Sequence, residues 1–335
     1  MTASRDAAGP PPGTQDLLFE AALRLRRCEA ALASRFEQHG FAEVIPPSLE
    51  RASVFETTTR GDGAGSGALR AVDRGGQLLA LRADFTAQVA RIAATRLAGV
   101  SPLRLYYRGS VVRESPSDGG CLRERLQAGC ELIGEGGPEA DAEMLALAVA
   151  SLHALGIAAG TARISVGTVA WFSALLRAAG ANERLSLALN DAVDRKDLPT
   201  LRRLCASEVP EGRAREAILL LARPPAPHAG KAPLLAAARA LAPSDEAATA
   251  LDRLEAALGD ARVRSIAAEL EVDLGEVRGL GYYTGLVFNL YAPGAARAVG
   301  GGGRYDTLLG RFGDQRPAVG FSLDLDALVP LAQPC

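Results

Sequence analysis

The chain has 335 residues, of which 48% are hydrophobic and 23% charged, and this composition predicts a soluble globular protein of about two domains. Its formal net charge of −2 excludes an overall basic field, so a tRNA partner would need a local basic patch. The five cysteines contain no CxxC pair, and the sequence shows neither a signal peptide nor an apolar run of membrane-spanning length, so we expect a cytoplasmic protein without disulfides or membrane contact.

The N-terminal part predicts an arm, a long helix and a short strand. Residues 1–12 are small, polar and rich in proline, which indicates a flexible arm. Apolar residues then recur at helical spacing from Asp16, a candidate N-cap, to the stop signal at residues 39–40. Residues 41–45 predict a strand that ends at two prolines. Because proline cannot donate to a ladder, this strand is expected at a sheet edge or an interface.

A glycine-rich loop, a hairpin and a helix follow. Residues 61–67 lack the Gly-Lys-Ser/Thr ending of a phosphate-binding loop, and they form either a surface loop or a loop ordered by a partner or ligand. Residues 69–73 and 77–82 predict two strands joined by a turn. The next helix begins behind Asp84. This aspartate is either the N-cap of the helix, its ordinary role, or an acceptor for a substrate ammonium group.

The most informative stretch comprises residues 107–115 and 121–134, which predict two strands joined by a Pro/Gly-rich turn. Its arginines stand among carboxylates and a glutamine, and the set is Arg108, Arg113, Arg123, Arg125, Glu114, Glu124, Gln127 and Glu131. Arginine forks bind carboxylates or phosphates at two points, whereas carboxylates accept N–H groups of ammonium or imidazole. The hairpin therefore suits a zwitterion and a polyphosphate, or its charges pair across the strands.

The middle of the chain is mainly helical. Residues 138–155 predict an apolar helix, residues 161–169 a strand, and residues 170–272 a tract of helices broken by prolines. His228 lies in one of these breaks and is expected in an exposed loop. Because the three histidines of the chain do not cluster, we expect no metal site and no nucleophile–base pair.

The last third returns to strands. Tyr282 and Tyr283 precede a predicted strand at residues 286–291. The glycine run at residues 300–303 lacks the spacing of a dinucleotide fingerprint. It indicates backbone that passes close to a ligand or to a neighbouring strand.

In their order, these motifs resemble the catalytic core of class II aminoacyl-tRNA synthetases, and specifically histidyl-tRNA synthetases. The resemblance covers nearly the whole chain. It rests on Pro-Gly-Thr-Gln-Asp at 12–16, the motif 1-like helix and strand with Pro46 and Pro47, Leu-Arg-Ala-Asp-Phe-Thr at 81–86, the motif 2-like hairpin at 113–134, Arg-Gly-Leu-Gly-Tyr-Tyr at 278–283 and Gly-Gly-Arg-Tyr-Asp at 302–306.

The resemblance implies an α+β fold, a class II synthetase-like antiparallel sheet flanked by helices, with a helical insertion. Residues 13–169 and 273–330 would form the core, and residues 170–272 the insertion. No anticodon-binding domain is expected, and the motif 1-like region implies a self-dimer.

The resemblance also implies a pocket for free histidine. The implied histidine-binding residues are Asp84, Thr86, Arg113, Gln127, Glu131, Arg278, Tyr282, Tyr283 and Tyr305. Asp84 and Thr86 would bind the amino group, and Glu131 and Tyr283 the imidazole. The other residues would bind the carboxylate or form the wall, except Arg113, which would face the ATP phosphate in a synthetase. A histidine ligand needs these partners, because it carries an ammonium, a carboxylate and two ring nitrogens.

Departures from the synthetase pattern indicate that the chain does not activate histidine. The arginine that ends synthetase motif 3 is matched by Ala327, and Asp324 and Asp326 before it would repel a triphosphate. In motif 2, Ser115 and Leu126 replace a glutamate and a histidine of the family. We therefore expect no catalytic residue, no cofactor and no tRNA partner.

The regulatory subunits of ATP phosphoribosyltransferase are a synthetase-like family with this architecture, and the chain resembles them. The resemblance implies a hetero-oligomer with a short catalytic subunit and feedback inhibition by L-histidine at the first step of histidine biosynthesis. Two alternatives remain open. One is a truncated histidyl-tRNA synthetase-like enzyme that activates histidine, and the other is a histidine sensor for a different partner.

Overall fold

The computed structural model describes residues 9–56, 67–114, 122–277 and 282–333. The strands are β1 (Ala42–Glu43), β2 (Leu49–Arg51), β3 (Arg70–Val72), β4 (Leu78–Leu81), β5 (Leu103–Val112), β6 (Glu124–Ile133), β7 (Arg163–Thr168), β8 (Ala226–Pro227), β9 (Leu270–Val272), β10 (Leu286–Tyr291), β11 (Gly300–Arg304) and β12 (Ala318–Asp324). The α-helices are α1 (Phe19–Gln38), α2 (Ala52–Glu56), α3 (Phe85–Thr95), α4 (Pro138–Ala154), α5 (Val169–Ala178), α6 (Glu183–Asp194), α7 (Leu198–Glu208), α8 (Arg213–Leu220), α9 (Ala232–Ala240), α10 (Asp245–Gly259), α11 (Ala261–Ser265) and α12 (Leu325–Leu328).

A nine-stranded sheet in the order β1-β5-β6-β12-β11-β10-β7-β9-β8 forms the centre of the fold. The strands from β5 to β7 in this order pair antiparallel, as predicted. The pairs β1–β5 and β7–β9 are parallel, so the sheet is mixed at its margins. Strand β1, which precedes the two prolines, lies at the predicted sheet edge. The predicted fold class is confirmed.

The two faces of the sheet are covered by different helices. Phe36 of α1 contacts Tyr106 and Phe321 on one face, and α4 packs on the same side. On the opposite face, Phe85 of α3 stacks on Tyr107, with ring centroids 4.3 Å apart. Tyr106 and Tyr107 point to opposite faces because successive side chains of a strand alternate.

The start of α1 differs from the prediction. The helix begins at Phe19 rather than behind Asp16, and its N-cap residue makes no side-chain capping bond. The segment before it instead crosses the beginning of β6, where the carbonyl of Gly13 accepts from the Arg123 amide at 2.6 Å. Gln15 donates to Asp326 at 2.9 Å. These contacts hold the segment against β6 and α12, and the backbone of the N-cap residue Leu18 is extended.

The predicted hairpin at residues 69–82 is confirmed as β3 and β4, and its turn is fixed by Asp73. The Asp73 carboxylate accepts from the amides of Gly75 and Gln77, each at 2.8 Å. Strand β2, which the sequence did not indicate, pairs with β4 and completes a three-stranded sheet. Most of the glycine-rich segment 61–67 lies outside the described residues.

The tract predicted as helical is helical, but it also contributes to the sheet. Strand β9 lies parallel to β7, and β8 pairs with β9. The expected exposure of His228 is wrong, because its ring is buried and its Nε2 lies 3.1 Å from the carbonyl of Leu258. The pattern of prolines identified the break between helices, but it did not show that α10 would cover it.

The glycine run forms the central strand β11. A Cβ at Gly302 would lie 2.1 Å from the carbonyl oxygen of Gly320 on β12. The predicted close approach to a neighbouring strand is therefore confirmed.

Candidate functional site

A cavity of about 180 Å³ opens on the face of the sheet that carries α3. It brings together every predicted site residue that the structure describes, namely Asp84, Thr86, Arg113, Gln127, Glu131, Tyr282, Tyr283 and Tyr305. Arg278, the ninth, lies outside the described residues. The sequence thus predicted one cavity from segments that are far apart along the chain.

Glu131 lies at the floor of this cavity and is 1% exposed. Its Oε1 accepts from the hydroxyls of Thr86 at 2.6 Å and Tyr107 at 3.2 Å, and its Oε2 accepts from the hydroxyl of Tyr305. Burial raises the pKa of Glu131 to about 8, although these hydroxyl donors oppose the shift. The carboxyl group therefore holds a proton at neutral pH, although the three hydroxyl donors around it would stabilise its charged form.

The N-terminus of α3 places two polar side chains at the rim. Asp84 caps the helix, because its Oδ1 accepts from the Ala87 amide at 2.9 Å, and its carboxylate also lines the cavity. The two interpretations of Asp84, cap and cavity residue, are therefore compatible. Thr86 donates its hydroxyl proton to Glu131, so its oxygen retains lone pairs that can accept from a ligand.

Arg113 and Gln127 form the polar side of the cavity nearest the ends of the hairpin. Arg113 Nε donates to the carbonyl of Ala83 at 2.8 Å, and its guanidinium lies 3.8 Å from Asp84. Arg108 pairs with Glu43 of β1 at 2.9 Å. Both arginines thus contact groups outside the hairpin. The alternative that their charges pair across the two strands of the hairpin does not hold for them.

An aromatic wall closes the cavity on the side of the segment before β10. The ring of Tyr282 stacks on Tyr305 with centroids 5.7 Å apart, and it meets Tyr283 edge-on at 4.8 Å. Burial raises the pKa values of Tyr282 and Tyr305 well above their usual range. Their hydroxyls therefore stay neutral, and the O–H of Tyr305 is the one that donates to Glu131.

Sequence reasoning did not assign several residues that shape the floor. Tyr107 was assigned only to a strand, and β12 contributes Gly320 and Ser322. A Cβ at Gly320 would lie 1.6 Å from Oε2 of Glu131, so only glycine leaves room for the carboxyl group. The signal that would have found Gly320 is its register opposite Glu131, which requires the strand pairing to be known.

The segment that matches synthetase motif 3 is occupied by internal contacts. Asp324 caps α12 and pairs with Arg297 at 2.8 Å. Asp326 accepts from the Leu126 amide at 2.6 Å, and burial raises its pKa. Ala327 provides no cation at the position where synthetases carry an arginine. The carboxyl groups of this segment are therefore engaged by Arg297 and by the backbone of β6.

Neither a metal site nor a membrane helix is found in the described part of the chain. No group of three or more His, Cys, Asp or Glu side chains there is arranged to hold a metal ion. Among the same residues, no helix is long and apolar enough to cross a bilayer. Cys28, Cys130 and Cys205 are free and buried.

Comparison with known proteins identifies the family. The family model for histidyl-tRNA synthetase matches residues 13–328. A protein of Anaeromyxobacter dehalogenans, named ATP phosphoribosyltransferase regulatory subunit, is 43% identical over 319 residues, which cover 94% of this chain and 89% of that protein. The chain belongs to the family of ATP phosphoribosyltransferase regulatory subunits. The family assignment made from the motifs is therefore confirmed.

Other regulatory subunits of this family give the same picture. The ATP phosphoribosyltransferase regulatory subunit of Geobacter sulfurreducens is 37% identical over 321 residues, with coverage of 95% of this chain and 72% of that protein. A crystal structure from Bacillus halodurans, described as an ATP phosphoribosyltransferase regulatory subunit/histidyl-tRNA synthetase, has a TM-score of 0.85 at 27% identity. It covers 97% of this chain and 83% of that one. This chain thus has the same fold as that structure over nearly its whole length.

Proposed function

We propose that this chain is the non-catalytic regulatory subunit of an ATP phosphoribosyltransferase in the cytoplasm. In this proposal a short catalytic subunit needs the chain for activity, and free L-histidine binds the cavity as feedback inhibitor of the first step of histidine biosynthesis. The names of the two relatives, both regulatory subunits, support the regulatory role. The observation that carries the histidine part is the buried carboxyl group of Glu131, surrounded by hydroxyl groups at the cavity floor.

The cavity offers a partner for each polar group of histidine. Asp84 and the oxygen of Thr86 would accept from the ammonium. Glu131, whose pKa of about 8 leaves it protonated at neutral pH, would share its proton with a ring nitrogen, and Tyr283 would contact the other side of the ring. Gln127, Tyr305, Arg113 and Arg278 would contact the carboxylate or form the wall. A side chain without a basic ring nitrogen would leave the buried Glu131 without its partner.

The segment that matches motif 3 is unsuited to adenylation chemistry. A triphosphate needs cations, and Ala327 supplies none where synthetases have arginine. Asp324 and Asp326 place carboxylates there instead, one paired with Arg297 and the other bonded to backbone. Histidine-dependent exchange of pyrophosphate into ATP should therefore be undetectable. Measurable exchange would favour the alternative of a histidine-activating enzyme.

Histidine binding can be tested with Asp84→Asn. Asparagine retains the oxygen that caps α3 but removes the charge that would meet the ammonium. We expect calorimetric titration with L-histidine to show affinity roughly 10 to 100 times weaker, since a hydrogen bond to a charged group contributes about 1.5–3 kcal/mol. The matched control is Asp197→Asn, because Asp197 also caps a helix, accepting from the Thr200 amide at 3.0 Å.

Three outcomes of this titration would contradict the proposed site. Unchanged affinity in Asp84→Asn, or equal loss in Asp84→Asn and Asp197→Asn, would mean that histidine does not bind through the cavity. No histidine binding by the unmodified chain, alone or with its catalytic subunit, would reject the histidine part of the proposal. In contrast, histidine binding without any effect on a phosphoribosyltransferase would favour a sensor for another partner.

We further propose a self-dimer through the motif 1-like region. Strand β1 is a sheet edge with both residues exposed. Exposed large apolar side chains accumulate in the segment that follows it and in the three-stranded sheet, namely Ile45, Leu49, Val72 and Leu78. Apolar side chains concentrated beside an open sheet edge are typical of an interface between subunits.

The division into a core, residues 13–169 and 273–330, and an insertion, residues 170–272, is likewise our proposal.

The dimer can be tested with Ile45→Glu. Ile45 is 83% exposed in the isolated chain, so a charge there should not affect the fold of one subunit. In the dimer the same charge would be buried, and the free energy needed to desolvate it would oppose association. We expect light scattering to show a dimer for the unmodified chain and a monomer for Ile45→Glu. The control is Leu187→Glu on α6, at a side chain that is 55% exposed. A dimer that persists in Ile45→Glu would contradict this interface.

A further inference from the structure

Thr284 connects the two chain segments that carry the aromatic wall of the cavity. It follows Tyr283 directly, and its backbone amide donates to the carbonyl of Arg304 at 2.7 Å. Its hydroxyl donates to the same carbonyl at 3.3 Å and accepts from the amide of Asp306 at 2.9 Å. Arg304 and Asp306 are the chain neighbours of Tyr305. One threonine thus binds the backbone on both sides of Tyr305.

The segment that carries Tyr305 is itself held by a buried ion pair. Arg304 is fully buried, and its Nε donates to Oδ1 of Asp141 on α4 at 2.7 Å. The same guanidinium donates to Oδ1 of Asp306 at 3.0 Å, and this oxygen also accepts from the amide of Ala318 on β12 at 3.1 Å. Hydrogen bonds to charged groups are the stronger ones, and here they share partners in one network. Thr284 is therefore attached to a part of the fold that is fixed on both sides.

The rings carried by the first segment pack directly against the second. A Cβ at Gly303, on β11, would lie 3.0 Å from Cδ1 of Tyr283. The ring of Tyr282 stacks on that of Tyr305, and the hydroxyl of Tyr305 donates to Glu131 at the cavity floor. A shift of one segment against the other would therefore move the wall and also disturb a donor to the floor.

We propose that Thr284 is a positioning residue for the histidine cavity. Hydrogen bonds weaken steeply as their angles change, so the bonds of its amide and hydroxyl fix Tyr282 and Tyr283 against the segment of Tyr305. A wall that is fixed before the ligand arrives needs less ordering on binding, which raises affinity. This inference rests on the proposed histidine site, and it assigns a role there to a residue that does not line the cavity.

Thr284→Val tests this role, because valine keeps the branching of the side chain but lacks the oxygen. The amide of Asp306 then loses its acceptor, so we expect the thermal midpoint to fall by a few degrees. Calorimetry should show L-histidine binding about five to ten times weaker. Hydrogen exchange of the Asp306 amide in the ligand-free protein should become faster. Thr284→Ser, which retains the oxygen, should recover most of the affinity.

Two controls separate positioning from a general loss of stability. Thr249→Val removes a hydroxyl that donates to the carbonyl of Asp245 within α10 at 2.8 Å, and this variant should bind histidine normally. Leu189→Ala removes a fully buried side chain of α6, which packs against α7, and it should lower the thermal midpoint at least as far as Thr284→Val. Its histidine affinity should nevertheless equal that of the unmodified chain.

Several results would overturn the inference. If Thr284→Val binds histidine as tightly as the unmodified chain, Thr284 does not position the cavity. Equal losses of affinity in Thr284→Val and Leu189→Ala would assign the effect to stability, and an equal loss in Thr284→Ser would assign it to the methyl group. If Thr284→Val does not fold, Thr284→Cys is titrated instead, since sulfur is a weak acceptor, and unchanged affinity there has the same meaning.

Failure of this inference is distinct from failure of the proposed site. Histidine binding by the unmodified chain, with the same affinity in Thr284→Val, rejects the positioning role and leaves the site in place. If the unmodified chain binds no histidine, alone or with its catalytic subunit, the site fails and the positioning role fails with it.

Discussion

The unmodified chain is expected to lose about 5 kcal/mol of its free energy of unfolding between pH 4.5 and pH 8. Glu131→Gln is expected to abolish this loss. Burial raises the pKa of Glu131 from an ordinary 4.5 to about 8 in the folded chain. At 1.36 kcal/mol per pKa unit, this shift corresponds to about 5 kcal/mol. Between these pH values the folded chain binds a proton that the unfolded chain releases, so the stability contributed by Glu131 falls as pH rises and is lowest above pH 8.

Urea unfolding at pH 5 and pH 9 measures this effect. The free energies of unfolding of Glu131→Gln and the unmodified chain should be similar at pH 5, and the variant should be the more stable at pH 9. Glu50→Gln provides the control, because Glu50 is also buried but pairs with Arg91 at 2.6 Å. Breaking that ion pair should lower stability at both pH values. Parallel pH profiles for Glu131→Gln and the unmodified chain would contradict the assignment of a buried proton to Glu131.

Gly320→Ala is expected to abolish histidine binding and to destabilise the fold by about 3 kcal/mol. The added Cβ would lie 1.6 Å from Oε2 of Glu131 and 2.7 Å from the carbonyl oxygen of Cys130. The side chain of Glu131 cannot move away cheaply, because the hydroxyls of Thr86 and Tyr305 hold it. Backbone movement would disturb the pairing of β12 with β6.

Thermal unfolding and calorimetric titration with histidine test this substitution. The control is Gly259→Ala at the end of α10, where an added Cβ meets no atom within 4 Å. That variant should bind histidine normally and keep its stability or gain slightly, because alanine is less flexible than glycine in the unfolded chain. Normal binding by Gly320→Ala would show that the Glu131 carboxyl is not held as described.

Much of the fold was predictable because its signals are local. The two long strands β5 and β6, helix α4 and the edge strand before the prolines each follow from periodicity or from proline chemistry. The chain segments that line the cavity were found through motifs, not through periodicity. Asp84 and Glu131 have ordinary local interpretations, and only the ordered set of motifs brought them together.

The features that were missed depend on tertiary contacts. Before α1, Gln15 contacts Asp326 and Gly13 contacts Arg123, both far away along the chain. The residues around Asp16 give no indication of these contacts. The burial of His228 depends on a carbonyl of α10. Gly320 acquires its meaning only from its register with Glu131. Such contacts are specified by pairing between segments far apart in sequence, which residue patterns within one segment do not encode.

The regulatory proposal is tested most directly by the activity of the short catalytic subunit. Phosphoribosyltransferase activity should be measured for the catalytic subunit alone, with this chain, and with this chain plus L-histidine. We predict activity that depends on the chain and falls on addition of histidine, with a weaker response to histidine in Asp84→Asn. A catalytic subunit whose rate and histidine response are the same with and without the chain would contradict the account.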